Sequence, residues 1–135
     1  MKTVLLVEDD VALLRQVACG FLEAGYQVVT ARDGEAAIQK LKSQIDLIIT
    51  DIVMPIVDGI EVIAYCRRKF PKIKIIAATI GYRAMPSVLL QVASYVGADE
   101  TVAKPYKLGD LLELASGLLG NEPRASGSSA TASAA

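Results

Sequence analysis

The stretch Asp46-Leu47-Ile48-Ile49-Thr50-Asp51 is a short apolar run that ends in a carboxylate. Three other runs have the same build and also stop at polar residues: 3–7 before Glu8-Asp9-Asp10, 74–78 before Thr79, and 101–103 before Lys104-Pro105. If these four runs are parallel strands of one sheet, their polar ends meet at its carboxyl edge, where open α/β sheets bind ligands. The set is therefore more informative than any one of its members.

Helical patterns separate the apolar runs. The spacing of apolar residues predicts five helices, over about 11–24, 35–41, 60–69, 85–96 and 108–119. The last of them lacks a usual capping residue, because Lys107 stands where Ser, Thr or Asp would serve. With a further short strand over 26–30, strand and helix alternate five times. This alternation predicts an α/β fold, (βα)5, in which helices cover both faces of a doubly wound parallel sheet of five strands.

Length and composition fit one domain followed by a tail. The 135 residues are 53% hydrophobic with a mean hydropathy of +0.41, which favours one core with strands buried on both faces. From Asn121 onwards the sequence consists mainly of Ser, Ala and Gly. We therefore expect a domain over residues 1–120 and a flexible tail or linker over 121–135.

Charge and hydropathy exclude several classes of protein. No apolar stretch approaches the roughly 18 residues that cross a membrane, and Glu8-Asp9-Asp10 would interrupt the apolar core of a signal peptide. We expect a cytoplasmic protein that makes no contact with membranes. A net charge of −1 also gives no basic field for direct nucleic-acid binding. The one dense basic cluster, Arg67-Arg68-Lys69, is interpreted as a solvated helix end.

The chain contains no histidine, which excludes Ser-His and Cys-His nucleophile pairs, HExxH metal sites and a phosphohistidine of its own. Its two cysteines, Cys19 and Cys66, have no CxxC spacing and are expected to be reduced thiols. Neither GxxxxGK[ST] nor GxGxxG occurs, so the usual phosphate-binding loops of nucleotide sites are also excluded.

The polar strand ends fit phosphate chemistry when they are taken together. Singly, Asp51 or the run Glu8-Asp9-Asp10 could simply cap a helix. Jointly, converging carboxylates repel one another unless a cation lies between them, and Mg²⁺ is a hard cation that prefers such ligands. Asp51 could then be a metal ligand, a nucleophile or both, while Lys104 and Thr79 offer an ammonium and a hydroxyl to phosphoryl oxygens. These groups suit phosphoryl transfer onto a carboxylate.

Five motifs in this order resemble the receiver domain of response regulators, the CheY-like superfamily of two-component signalling. They are Val-Glu-Asp-Asp at 7–10, Thr-Asp-Ile-Val-Met-Pro at 50–55, Asp58-Gly59, Thr79 and Lys104-Pro105-Tyr106, and the likeness covers about residues 1–120. The resemblance implies a flavodoxin-like sheet with strand order 2-1-3-4-5. It also implies a cis peptide bond between Lys104 and Pro105.

The resemblance further implies a role for each matching residue. Asp51 would accept a phosphoryl group from a phosphohistidine on a separate histidine kinase or histidine phosphotransfer protein. Glu8, Asp9, Asp51 and the backbone carbonyl of Val53 would hold Mg²⁺. Thr79 and Lys104 would bind the phosphoryl oxygens.

Phosphorylation would then switch the face built from the fourth helix, the fifth strand and the fifth helix. That face would bind a downstream effector protein, an effector domain outside the present sequence, or a second copy in a homodimer.

The sequence departs from the usual receiver pattern in three places, the third of which is a pair of variable positions beside the site. Thr101 stands where many receivers have a switching aromatic residue, and Ile80 follows Thr79 where the family favours Ala or Gly. Val53 and Gly81 have no side chain that could orient an attacking water, so we expect slow autodephosphorylation.

Two other functions stay open at this point. A phosphatase of the haloacid-dehalogenase type also uses a strand-end aspartate, but it needs a second acid two residues later, where this chain has Val53. The second is an interaction module that keeps the receiver fold without being phosphorylated.

Overall fold

The structure is a computed structural model that describes residues 1–54, 57–80 and 86–120, without the side chains of Ile80, Pro86, Ser87 and Leu89. Within these residues five strands alternate with five helices: β1 (Thr3–Val7), α1 (Val11–Glu23), β2 (Gln27–Ala31), α2 (Gly34–Lys40), β3 (Leu47–Asp51), α3 (Gly59–Lys69), β4 (Lys74–Ile80), α4 (Pro86–Val96), β5 (Glu100–Lys104) and α5 (Leu108–Leu119). None of the helices in this part of the chain is long and apolar enough to cross a bilayer.

The strands form one parallel sheet in the order β2-β1-β3-β4-β5, which confirms the fold class and the strand order. In the register of this sheet, Val7 pairs with Thr50, Asp51 with Ala78, and Thr79 with Ala103. The carboxyl ends of β1, β3, β4 and β5 therefore lie side by side, as the four apolar runs predict.

Apolar side chains cover both faces of the sheet, which explains why its strands are continuously apolar. One face carries Leu5, Val7, Ile48, Ile75 and Ala77, which pack with residues of α2, α3 and α4. The opposite face carries Val4, Leu6, Leu47, Ile49 and Ile76, which pack with residues of α1 and α5. The central strands are thereby held from both sides, and their polar ends have fixed positions.

Three aspartates begin three of the helices. Asp10 accepts a hydrogen bond from the Leu13 amide (3.1 Å), and Asp33 and Asp58 cap α2 and α3 in the same manner. The capping interpretation of the first acidic run is thus right for Asp10. Lys107 makes no side-chain capping bond at α5, as its residue type predicted.

Three strands extend further than their apolar runs predict. β3 includes Asp51, β4 continues to Ile80, and β5 ends at Lys104. The apolar run marks only the buried part of a strand, whereas the backbone pairing continues beyond it. An example is the pair formed by Ile80 of β4 and Lys104 of β5. Some predictions fall on parts of the chain that the structure does not describe. They concern the start of α4 at Met85, the side chain of Ile80, Gly81 and the tail 121–135.

Gly59 is required by a close approach of α3 to the end of β3. A Cβ atom at this position would lie 2.1 Å from the backbone oxygen of Asp51. We predict that Gly59→Ala lowers the free energy of unfolding by about 1–3 kcal/mol in urea denaturation, because the strand end or the helix must shift. Gly117→Ala is the matched control: Gly117 lies within α5 with open space around it, so this variant should gain about 0.5–1 kcal/mol. Equal stability of the two variants would contradict this packing.

The two thiols should differ strongly in reactivity. Cys19 is exposed, whereas Cys66 is buried, and burial raises the pKa of its thiol to about 11. Because the thiolate is the reactive form, we predict that the native protein at pH 8 gives one rapidly reacting thiol with Ellman's reagent. Cys19→Ser should remove this fast phase and Cys66→Ser should leave it. A fast phase that survives Cys19→Ser would show that Cys66 is accessible.

Candidate functional site

The carboxyl edge of the sheet brings Glu8, Asp51, Thr79 and Lys104 together from four strands. Asp51 and Thr79 are 4% and 0% exposed, and Glu8, directly after β1, is 7% exposed, whereas Asp9 is exposed to solvent. We call these five residues the acidic site. Such deep burial of ionisable groups is costly unless the groups are paired, so their partners are decisive.

The ammonium of Lys104 lies between two of the carboxylates. Its Nζ donates a hydrogen bond to Oδ2 of Asp51 (3.0 Å) and another to Oε1 of Glu8. Burial by itself lowers the pKa of Lys104, but the hydrogen bonds to Glu8 and Asp51 and their negative charges outweigh it, so the pKa is raised. Lys104 is thus held in its charged form by the acids that it joins.

Two hydrogen-bond donors fix the carboxylate of Glu8, but burial and the nearby charge of Asp51 still destabilise its charged form. Its Oε2 accepts from the Asp10 amide (3.1 Å), and its Oε1 accepts from Lys104. Burial raises the pKa of Glu8, and the nearby charge of Asp51 adds to this, although the bonds from Lys104 and Asp10 act in the opposite direction. One ammonium therefore does not fully compensate two buried carboxylates.

The oxygen donors at this edge fit a hard divalent cation. Carboxylate oxygens of Glu8, Asp9 and Asp51 all lie within 4.8 Å of one another. Oδ1 of Asp51 is buried and has no hydrogen-bond partner in the part of the chain that the structure describes. A buried carboxylate oxygen without a donor, beside two further carboxylates, is an arrangement that a cation such as Mg²⁺ completes.

Val53 and Thr79 take different places around this cluster. Val53 lies two residues after Asp51 and is 50% exposed. Because its side chain is apolar, only its backbone could offer an oxygen to the site. Thr79 is fully buried in β4, directly after Ala78, the residue that pairs with Asp51. Thr79 therefore lies one strand away from Asp51 and one residue further along.

The peptide bond between Lys104 and Pro105 is cis, as the resemblance implied. Thr101, at the position of the usual aromatic residue, is half-buried opposite Ala77. Among the described residues, the aromatic side chain of Tyr106 lines a void of about 20 Å³ together with Glu8 and Asp51. Burial raises the pKa of Tyr106; the charge of Lys104 opposes this, whereas those of Glu8 and Asp51 add to it.

In the sequence, Tyr106 and Gly59 stand out only as parts of motifs. The short spacing Lys104-Pro105-Tyr106 could have indicated that the ring follows the ammonium into the site. The importance of Gly59 comes from a contact with the backbone of Asp51, which an isolated Asp-Gly pair does not reveal.

Comparison with known proteins agrees with this geometry. The profile of the family described as response regulator receiver domain matches residues 4–116. The response regulator receiver protein CpdR of Brucella abortus is 37% identical over 114 residues, which cover 83% of this chain and 92% of that protein. The alkaline phosphatase synthesis transcriptional regulatory protein PhoP of Bacillus subtilis is 32% identical over 106 residues, which cover 78% of this chain and 43% of PhoP.

The chain spans about half the length of the curated transcriptional regulators that it matches. A crystal structure of the response regulator protein TrrA from Thermotoga maritima, solved in complex with Mg²⁺-BeF, is also similar. It superimposes with a TM-score of 0.76 at 36% identity and covers 88% of this chain and 100% of that one. Sequence, fold and site geometry lead to one conclusion: the chain belongs to the response regulator receiver domain family of two-component signal transduction.

Proposed function

We propose that Asp51 is the phosphoacceptor of this receiver domain and takes its phosphoryl group from a phosphohistidine on a histidine kinase or phosphotransfer protein. The observation that carries the proposal is the state of the Asp51 carboxylate. It is buried, one oxygen binds Lys104, and the other has no partner within the described residues. The phosphohistidine that donates the phosphoryl group must lie outside the present sequence, which contains no histidine.

In the proposed transfer, an oxygen of Asp51 forms a bond to phosphorus while the bond from phosphorus to the donor's imidazole nitrogen breaks. The leaving nitrogen keeps the bonding electron pair. Lys104 and the hydroxyl of Thr79 are assigned to the phosphoryl oxygens, where they neutralise and orient the added charge. The domain is thus a phosphoacceptor that assists its own modification rather than an enzyme acting on other substrates.

We assign Glu8, Asp9, Asp51 and the backbone carbonyl of Val53 as the residues that hold Mg²⁺. The bound ion supplies positive charge to the transferring phosphoryl group. The support is the proximity of three carboxylates and the unpartnered Oδ1 of Asp51 among the described residues. Lys104 binds Oε1 of Glu8 and Oδ2 of Asp51. Its positive charge therefore lies beside the oxygens that we assign to the ion and opposes the binding of a second cation there.

Loss of the phosphoryl group is proposed to be slow. An attacking water needs a polar side chain to orient it, and Val53 next to the site is apolar and half exposed. The same residue counts against a phosphatase of the haloacid-dehalogenase type, because no acid stands at this position.

The output surface is proposed to be the face formed by α4, β5 and α5. Three apolar residues of α4, which we call the α4 stripe, lie on one side of the helix and are exposed: Val88 (47%), Val92 (41%) and Tyr95 (93%). The leucines of α5 divide as expected from their number: Leu111 is fully buried, whereas others, such as Leu114 and Leu118, are only partly buried. Exposed apolar residues at regular spacing favour a protein partner.

The partner of that face is proposed to be an effector protein, an effector domain in a longer polypeptide, or a second copy of this domain. PhoP is more than twice as long as the matched region, as expected for a protein with an additional domain, whereas CpdR is matched over 92% of its length. The domain itself is proposed to act in the cytoplasm without direct contact to nucleic acid or membrane. The rival proposal is an interaction module that works without phosphorylation. Such a module would take up no phosphoryl group from acetyl phosphate.

We predict that acetyl phosphate with Mg²⁺ adds one acid-labile phosphoryl group to the wild-type protein, and that Asp51→Asn abolishes this addition because the acceptor oxygen is replaced by an amide. Intact-mass spectrometry measures the product. Asp58→Asn is the matched control, because Asp58 caps α3 close to the site and Asn is an equally good cap. This control should be phosphorylated like the wild type. Phosphorylation of Asp51→Asn, or none of the wild type, contradicts the assignment.

We predict that Lys104→Met binds Mg²⁺ about tenfold more tightly than the wild type, because the positive charge of Lys104 no longer opposes the ion. Isothermal titration calorimetry measures the affinity. Lys107→Met is the control, since Lys107 is exposed and its side chain makes no capping bond. Unchanged or weaker binding by Lys104→Met would show that the charge of the ammonium does not oppose the metal.

A further inference from the structure

Arg67 joins two helices at the edge of the sheet opposite to the acidic site. It lies near the end of α3, and its Nη1 donates to the carbonyls of Pro71 (2.9 Å) and Ile73 (3.2 Å) in the following loop. Its Nη2 donates to the carbonyl of Gly97 (2.6 Å) and to Oδ2 of Asp99 (2.9 Å), about 30 residues further along the chain. We call Arg67, Gly97 and Asp99 the Arg67 anchor.

Each acceptor of the anchor is itself fixed. Oδ2 of Asp99 also accepts from the Ile75 amide (2.8 Å), and the Asp99 amide donates to the Ile75 carbonyl (2.8 Å), which ties the anchor to β4. Gly97 has a φ of +142°, and a Cβ there would lie 3.1 Å from Nε of Arg67. Glycine at position 97 therefore permits both the turn after α4 and the approach of the guanidinium.

The described side chains of α4 bury little apolar surface. Of the α4 side chains that the structure describes, Ala93 alone is fully buried, and Leu90 and Val96 are half-buried. The α4 stripe is exposed. Because the described part of α4 buries so little apolar surface, its polar connections matter strongly, and lightly packed elements are those that move most readily.

The anchor is remote from the acidic site along β4. Ala78 pairs with Asp51, and Ile75, the partner of Asp99, precedes it by three residues, roughly 10 Å along a strand. Thr79 lies at the other end of β4, from which the chain continues towards α4. A displacement that starts at Thr79 therefore reaches the beginning of α4 before its anchored end.

We propose that Arg67 is a positioning residue that fixes the C-terminal end of α4, so that α4 turns about Gly97 when Asp51 is phosphorylated. The inference rests on the proposed function of Asp51. Without the anchor, the same event displaces the whole helix and loosens the turn that leads into β5. The guanidinium suits this role because its planar fork binds several acceptors at once, which an ammonium cannot do.

The test uses amide hydrogen exchange with and without Mg²⁺ and beryllofluoride, an analogue of the phosphoryl group. The reporters are the amides of Ala98 and Asp99, which donate to Ala93 and Ile75. Arg67→Met keeps the aliphatic stem and removes all four hydrogen bonds, and Arg67→Lys keeps the charge without the fork. Arg68→Met is the matched control, because Arg68 is exposed over the ring of Tyr65 and is not part of the anchor.

In the wild type and in Arg68→Met, we expect the analogue to change the exchange of both reporters by less than about twofold. In Arg67→Met it should accelerate their exchange by about tenfold, the order of magnitude expected when the analogue weakens the backbone hydrogen bonds of these amides by the net value of one bond. Arg67→Lys should lie between these values, and it replaces Arg67→Met in the test if that variant does not fold. A purely structural role would raise exchange equally with and without the analogue.

An equal response of Arg67 variants and wild type to the analogue overturns the inference. Strong acceleration at Ala98 and Asp99 in the wild type also overturns it, because the end of α4 would then not be fixed. Intact-mass detection of phosphoryl on Asp51 in each variant separates this outcome from failure of the proposed function. If the wild type takes up phosphoryl but exchange patterns do not differ, the inference about Arg67 alone fails.

Discussion

The charge balance among Glu8, Asp51 and Lys104 is the constraint on which the rest of the site depends. Two buried carboxylates share one ammonium, a third carboxylate lies within 4.8 Å, and one oxygen of Asp51 has no donor among the described residues. Burial keeps these interactions strong, and the excess of negative charge makes the site receptive to a cation. The site is thus stable only as a set, and it responds to any change in its charge.

The strand order of the sheet brings the residues of this site together. The order β2-β1-β3-β4-β5 places the strand ends that carry Glu8, Asp51, Thr79 and Lys104 next to one another, although they are distant in sequence. Apolar packing on both faces fixes the position of each strand. Because Gly59 has no Cβ atom, α3 can approach the backbone of Asp51. The Arg67 anchor holds the opposite edge, so movement at one edge can be converted into rotation of a helix.

Much of this could be predicted from the sequence, but for distinct reasons. The alternation of apolar runs and helical patterns gave the parallel sheet, because both periods are local properties of the chain. The strand order came from the family resemblance, since no local pattern specifies which strands are neighbours. Strand ends were misplaced because pairing extends past the apolar run, as at Asp51 and Ile80. The role of Arg67 was not predictable: three adjacent cations look alike in sequence, and the partners of one lie 30 residues away.

The proposed function places phosphoryl chemistry on Asp51 within a metal-binding cluster of acids. A crystal structure of this protein with Mg²⁺ and beryllofluoride would show whether it takes place there. We expect beryllium bonded to a carboxylate oxygen of Asp51, with the ion bound by Asp51 and its acidic neighbours and Lys104 turned to the fluorides. Beryllofluoride at another residue, or an Asp51 that stays paired with Lys104 while no ion binds, would contradict it.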